Sequence, residues 1–139
     1  MTMSDRIRAR WLRGMYLYTT AGSGTTGVCL LLFPEFWAQY LHLPPADSLV
    51  LGVLASVYLA EGLVAVLGLR HPFRFAPLLV VQMLYKTLFL ATVGIPQWLQ
   101  GHVGIWDQAL MAIFVTYIVG DVIAIPFRRL LTAHPEPTS

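Results

Sequence analysis

Three ionisable residues of this 139-residue chain, Glu61, Lys86 and Asp121, stand inside long apolar runs, where a charge is costly and so informative. An Asp, Lys or Arg near the centre of a membrane-spanning helix costs roughly 2.5–3.5 kcal/mol on insertion scales, so such groups turn toward a bundle interior and find partners. Helical spacing gives each of them polar company. Tyr58 and Glu61 are three apart, Gln82 and Lys86 four apart, and Tyr117 and Asp121 four apart, so each pair shares one side of its helix. Asp107, Leu110, Phe114, Tyr117 and Asp121 extend the last of these faces into a continuous stripe.

At a rise of about 1.5 Å per residue, Glu61 lies about 12 Å, Lys86 about 16 Å and Asp121 about 8 Å from the ends that carry the arginines. That spread is within the reach of a lysine. The simplest arrangement pairs Lys86 with Glu61 and lets Gln82, Tyr58, Tyr117 and Asp121 satisfy the remaining donors and acceptors. Three kinds of chemistry fit such a cluster: a structural ion pair that fixes which helices pack together, a site for an apolar molecule with one polar end, and a proton or ion relay. Asp121 has a further reading as a partner of Arg128 or Arg129 at the membrane surface.

Other chemistry has little to stand on. Cys29 is the single cysteine, which excludes an internal disulfide and a C-x-x-C redox pair. The four histidines, His42, His71, His102 and His134, are scattered, with no H-E-x-x-H and no i,i+4 pair, so no metal site is expected. Gly22-Ser-Gly24 lies within an apolar span rather than after a strand, and no phosphate loop is present.

The elements that must position these residues follow from composition. Hydrophobic residues make up 57% and charged residues 12%, against roughly 25% charged in an average soluble domain, and the mean hydropathy is +0.67. A water-facing surface could not be covered with so few charges. Disorder, a collagen-like chain, a disulfide scaffold and a nucleic-acid binder are excluded or disfavoured, and lipid is the expected solvent. Spanning needs about 20 apolar residues per helix. Four stretches qualify, roughly 14–33, 48–69, 75–95 and 105–126. The fold expected is an all-α, polytopic four-helix transmembrane bundle forming one domain over 1–139. All nine prolines are placed at boundaries or outside the spans, with Pro34, Pro96 and Pro126 closing helices one, three and four, which argues against discontinuous helices.

Orientation follows from the arginines. Arg6, Arg8, Arg10 and Arg13 precede the first span, Arg70 and Arg74 separate the second and third, and Arg128 and Arg129 follow the fourth. All eight fall on one side, so the positive-inside rule places both termini in the cytoplasm of a bacterial inner membrane. Trp37, Tyr40, Trp98 and Trp106 form an outer aromatic belt and Trp11 an inner anchor. Read as a secretory signal, the N-terminus lacks a small-x-small cleavage site and its apolar run is too long. The segment 36–43 reads as an interfacial half-helix or as a loop with an aromatic anchor. Residues 21–27 on the first helix, and Gly52, Ser56 and Ala60 on the second, supply small-residue stripes for close helix contact, for a flat lipid-like ligand or for another subunit. Proline followed by tryptophan ends helices one and three (Pro34/Trp37, Pro96/Trp98), a faint sign of a duplicated hairpin.

The layout resembles the DoxX-like group of small four-helix membrane proteins. The resemblance rests on the glycine-rich first helix ending in Leu-Leu-Phe-Pro34, Ala60-Glu61-Gly62 on the second, Tyr85-Lys86 on the third and Gly120-Asp121 on the fourth. It implies the bundle and, through members associated with quinone-linked thiosulfate oxidation, a bound quinone or lipid; no catalytic residue is carried over. A weaker similarity is to the sterol-isomerase and sigma-2-type bundles, with their acidic residues in a membrane cavity, although the chain leaves no room for their fifth helix. The reading that emerges is an accessory or assembly subunit of a larger membrane complex, with membrane lipids, other membrane subunits or a second copy as partners. The alternative is a membrane-embedded enzyme or binding protein for a quinone, sterol or isoprenoid.

Overall fold

A computed structural model describes residues 3–40 and 48–132, and every regular element among them is helical. The expectations for His42, Pro44, Pro45 and Asp47, and for His134, Pro135 and Pro137, lie outside the described residues. Helix α1 (Met3–Thr19) passes through a π-helical turn (Thr20–Gly24) into α2 (Thr25–Leu32), and α3 (Pro34–Tyr40) follows after Phe33. Then come α4 (Ser48–Arg70), α5 (Ala76–Phe89), a second π-helical turn (Leu90–Gly94), α6 (Ile95–Leu99), α7 (Ile105–Ala124) and the short α8 (Phe127–Leu131).

Three of these helical runs are long and apolar enough to cross a membrane: Leu49–Arg70, Ala76–Leu99 and Ile105–Ala124. The run from Met3 to Leu32 is long enough, but its hydroxyl and glycine residues dilute its apolar character. Several of them, Thr19, Ser23 and Gly27, are buried.

Proline placement needs one correction. Pro96 does not close the third helix, which continues through it to Leu99. In a regular α-helix the Pro96 ring would press on the carbonyl four residues back. Here the preceding turn is π-helical, and the Ile95 N–H donates to the Leu90 carbonyl five residues back, which widens the helix just before the proline. The third helix thus contains a proline in its interior and an irregular turn, where an unbroken helix was expected.

The chain divides into two compact units, one of residues 16–75 and the other of residues 1–15 with 76–139. In the first, α2 and the π turn before it pack on α4. The approach is close enough to need glycine. A Cβ at Gly27 would meet Leu59 Cα at 2.8 Å and the Ala55 carbonyl at 2.9 Å, and Gly24 and Gly62 face each other backbone to backbone. The small residues of the first helix therefore serve helix contact, as small residues do where burial from water no longer drives association. The second stripe does not: Ser56 and Ala60 are exposed and Gly52 has nothing within 4 Å of its Cβ position. The face of α4 that meets α2 is instead Ala55, Leu59 and Gly62, one helical step around. Tyr16 donates to the Pro72 carbonyl at 2.7 Å and lays its ring over Gly68, fixing the first helix to the turn after α4.

Leu30, Leu51 and Ala55 form an apolar cluster against which Trp37 and Tyr58 pack. Residues 36–40 are indeed helical, but Trp37 turns inward while Phe36, edge-on to it at 5.7 Å, is the exposed ring. Trp11, Trp98 and Trp106 are about half exposed or more, as interface anchors would be.

In the other unit α5 packs along α7. Arg8 donates to the carbonyl of Ile125 at 3.2 Å, placing a cation on the C-terminal end of α7, where the helix dipole favours it. Met15 fills the space over Gly120. The start of the chain's first helix thus lies beside the end of its last long one.

Candidate functional site

Two faces build the polar core of the second unit. Helix α5 presents Gln82 and Lys86 one turn apart, and α7 presents Phe114, Tyr117 and Asp121 along one side. Because the helices run antiparallel, the pairs fall in register as two rungs, 82 with 121 and 86 with 117. On the first rung the Gln82 amide Nε2 donates to Asp121 Oδ2 at 3.0 Å, both residues being fully buried.

The second rung is an aromatic cage. The Lys86 ammonium stands 4.3 Å from the ring centroids of Tyr85 and Tyr117 and 5.5 Å from that of Phe114, and it donates to the Tyr85 hydroxyl at 2.5 Å. Edge-to-face contacts of Phe114 with Tyr85 (6.4 Å) and Phe89 (5.4 Å) hold the cage rings in place. Each ring face attracts a desolvated cation by about 2 kcal/mol or less at such distances. Lys86 is 1% exposed, so its ammonium is enclosed by the protein.

Of the six candidate residues, the structure brings together Gln82, Lys86, Tyr117 and Asp121. Tyr58 and Glu61 belong to the other unit: Glu61 is buried on α4, and Tyr58 rests on the Leu30–Leu51–Ala55 cluster. The pair expected between Lys86 and Glu61 joins residues of different units. What the sequence missed is Tyr85, whose position next to Lys86 turns it about 100° away on the helix. A lysine is long enough to bend back over its neighbour's ring, and its immediate aromatic neighbour was the available signal.

Asp121 accepts from Gln82 through Oδ2, and the side chain of Arg129, one of the two arginines expected near it, lies outside the described residues. Asp107 lies at the mouth of the α7 stripe but serves the helix itself. Its carboxylate accepts the Gly104 N–H at 2.8 Å, capping the first turn, and Leu110 beyond it is 39% exposed. The buried stripe therefore begins at Phe114. Among the described residues no group of three His, Cys, Asp or Glu side chains is gathered to hold a metal. With exposures of 3% or less on Gln82, Lys86, Tyr117 and Asp121, the arrangement can hold two helices in register and exclude the neighbouring registers, because a slip of one residue would bury each polar group against an apolar one.

No protein-family model, no curated protein and no solved structure matches this chain.

Proposed function

We propose that this chain is a multi-pass helical protein of a bacterial inner membrane, acting as an accessory or assembly subunit through lateral contacts with another membrane protein or a second copy of itself. One observation carries the reading: the polar side chains of the α5–α7 pair are spent between the two helices, Gln82 on Asp121 and Lys86 over the Tyr85 and Tyr117 rings, at 0–3% exposure for Gln82, Lys86, Tyr117 and Asp121. A registry device of that kind suits a scaffold. The outward surface is where the chain has something left to offer. A shallow groove on α4, lined by Gly52, Val53, Ser56, Val57 and Ala60 with Leu31 beside it, has the small-residue spacing by which membrane helices approach closely.

In this reading the first helix is the fourth span, its polar small residues turned to α4. Both termini and the turn at 70–74 are cytoplasmic, by the arginines they carry. The Arg8 bond to the end of α7 agrees with the two chain ends sharing a side. The likeness to DoxX-like proteins points to the same class of bundle.

The test is affinity purification in a mild detergent with the mass of the protein part of the particle measured by light scattering. A particle heavier than one chain, with a stoichiometric membrane partner or a second copy, is expected. A monodisperse monomer would overturn the reading, and enrichment of a quinone, sterol or isoprenoid in that monomer would establish the ligand-binding alternative in its place.

A further inference from the structure

The N-terminal part of α1 has a face that its packing leaves outside. Ala9, Leu12 and Met15 are buried, whereas Ile7, Arg10, Trp11 and Gly14, at i, i+3, i+4 and i+7, line a shallow groove on the opposite side. Ile7 is 54% and Trp11 49% exposed. Two large apolar groups beside an arginine are poorly placed in water and well placed at a bilayer interface, where the ring and the aliphatic chain enter the acyl boundary and the guanidinium stays at headgroup level. Gly14 has nothing within 4 Å of its Cβ position, so the groove has a notch at its membrane end.

Charge says what would occupy it. Arg6, Arg10 and Arg13 are exposed on this segment, and Arg8 is held by the Ile125 carbonyl. Asp5 is the single acid among residues 3–15. We infer that this groove binds the headgroup of an anionic phospholipid, with Arg10 forked on the phosphate, Trp11 and Ile7 against the glycerol and upper acyl chain, and the Gly14 notch admitting the chain. Arginine suits this because its planar fork matches two phosphate oxygens at once. An acidic protein surface would satisfy Arg10 but not the exposed Ile7 and Trp11 between the arginines. The inference rests on the membrane placement proposed above and not on lateral association.

The experiment is native mass spectrometry of the full chain in detergent, titrated separately with phosphatidylglycerol and with phosphatidylcholine, and with inorganic phosphate as competitor. Wild type is expected to retain phosphatidylglycerol several-fold more tightly than phosphatidylcholine, and phosphate is not expected to displace it. A lipid-facing arginine contributes about a fivefold factor. Arg10→Gln is therefore expected to lower phosphatidylglycerol affinity about fivefold, and Gly14→Leu, which fills the notch without touching charge, to lower it as well. Arg70→Gln, an exposed arginine outside the groove, is the control and should change little. Equal losses in Arg10→Gln and Arg70→Gln, with Gly14→Leu unchanged, would mean net charge alone and overturn the site. Equal retention of the two lipids, or displacement by phosphate, would also overturn it. Retention of neither lipid would overturn the membrane placement with it.

Discussion

Replacing Gly27 by alanine tests the contact that joins α2 to α4. The added methyl would stand 2.8 Å from Leu59 Cα and 2.9 Å from the Ala55 carbonyl, against about 3.5–4.0 Å for comfortable carbon contacts. Both obstacles are backbone, so no side chain can swing away and the helices must separate by about 1 Å. Overpacking of this kind costs about 1–3 kcal/mol, and the separation also loosens the Gly24–Gly62 approach. Against it stands a gain of about 1 kcal/mol that alanine brings to a helix interior over glycine. A net loss of up to about 2 kcal/mol remains. In detergent this should appear as a fall of up to roughly 8 °C in the thermal midpoint followed by circular dichroism or intrinsic fluorescence. Gly52→Ala is the matched control: its Cβ position is open, so helix propensity alone acts and the midpoint should hold or rise. If Gly27→Ala melts with wild type, or Gly52→Ala falls as far, the close approach is not what holds this pair of helices.

Three further expectations follow from the polar core and the termini. Lys86→Met keeps the cage filled but removes the donor to the Tyr85 hydroxyl and should lose about 1–3 kcal/mol; Lys86→Ala leaves a void as well and should lose more, about 2–5 kcal/mol. Gln82→Leu removes the donor to Asp121 and should cost about 1–3 kcal/mol in the same melt, while the double variant Gln82→Leu with Asp121→Leu recovers most of it, because the desolvated partner goes too. A reporter active only in the cytoplasm should be active when fused after Ser139 and silent when inserted at Gly101, whose positive φ of 72° marks an exposed turn.

The elements that sequence made legible are those whose pattern is one of plain apolar length. Helices over 48–70 and 105–124 follow from runs of aliphatic residues, and Lys86 could be placed inside a helix because neither flank spans alone. The polar registers were legible for the same reason: Gln82/Lys86 and Tyr117/Asp121 share faces by spacing, and the faces do meet. Less legible were features set by backbone geometry and by neighbours distant in sequence. Pro96 reads as a stop, and only the π-helical turn before it lets the helix continue. Gly52, Ser56 and Ala60 share one face of α4, Ala55, Leu59 and Gly62 another, and which of them meets α2 depends on rotation of the helix, which periodicity alone leaves open. The spacing of Lys86 suggests a carboxylate partner, whereas the rings around its ammonium become evident only when Phe114 and Tyr117 are brought beside Tyr85.

In the proposed reading the chain works through its outer surface, because Gln82, Lys86, Tyr117 and Asp121 are shut inside the α5–α7 pair. The most direct measurement is the mass of the particle extracted from its native membrane in a polymer-bounded nanodisc, without detergent exchange. A complex of the chain with a second copy or another membrane protein is expected, kept in Lys86→Met and weakened when Ser56 is replaced by a bulky residue. A single chain surrounded only by lipid, unchanged by either substitution, would refute lateral association.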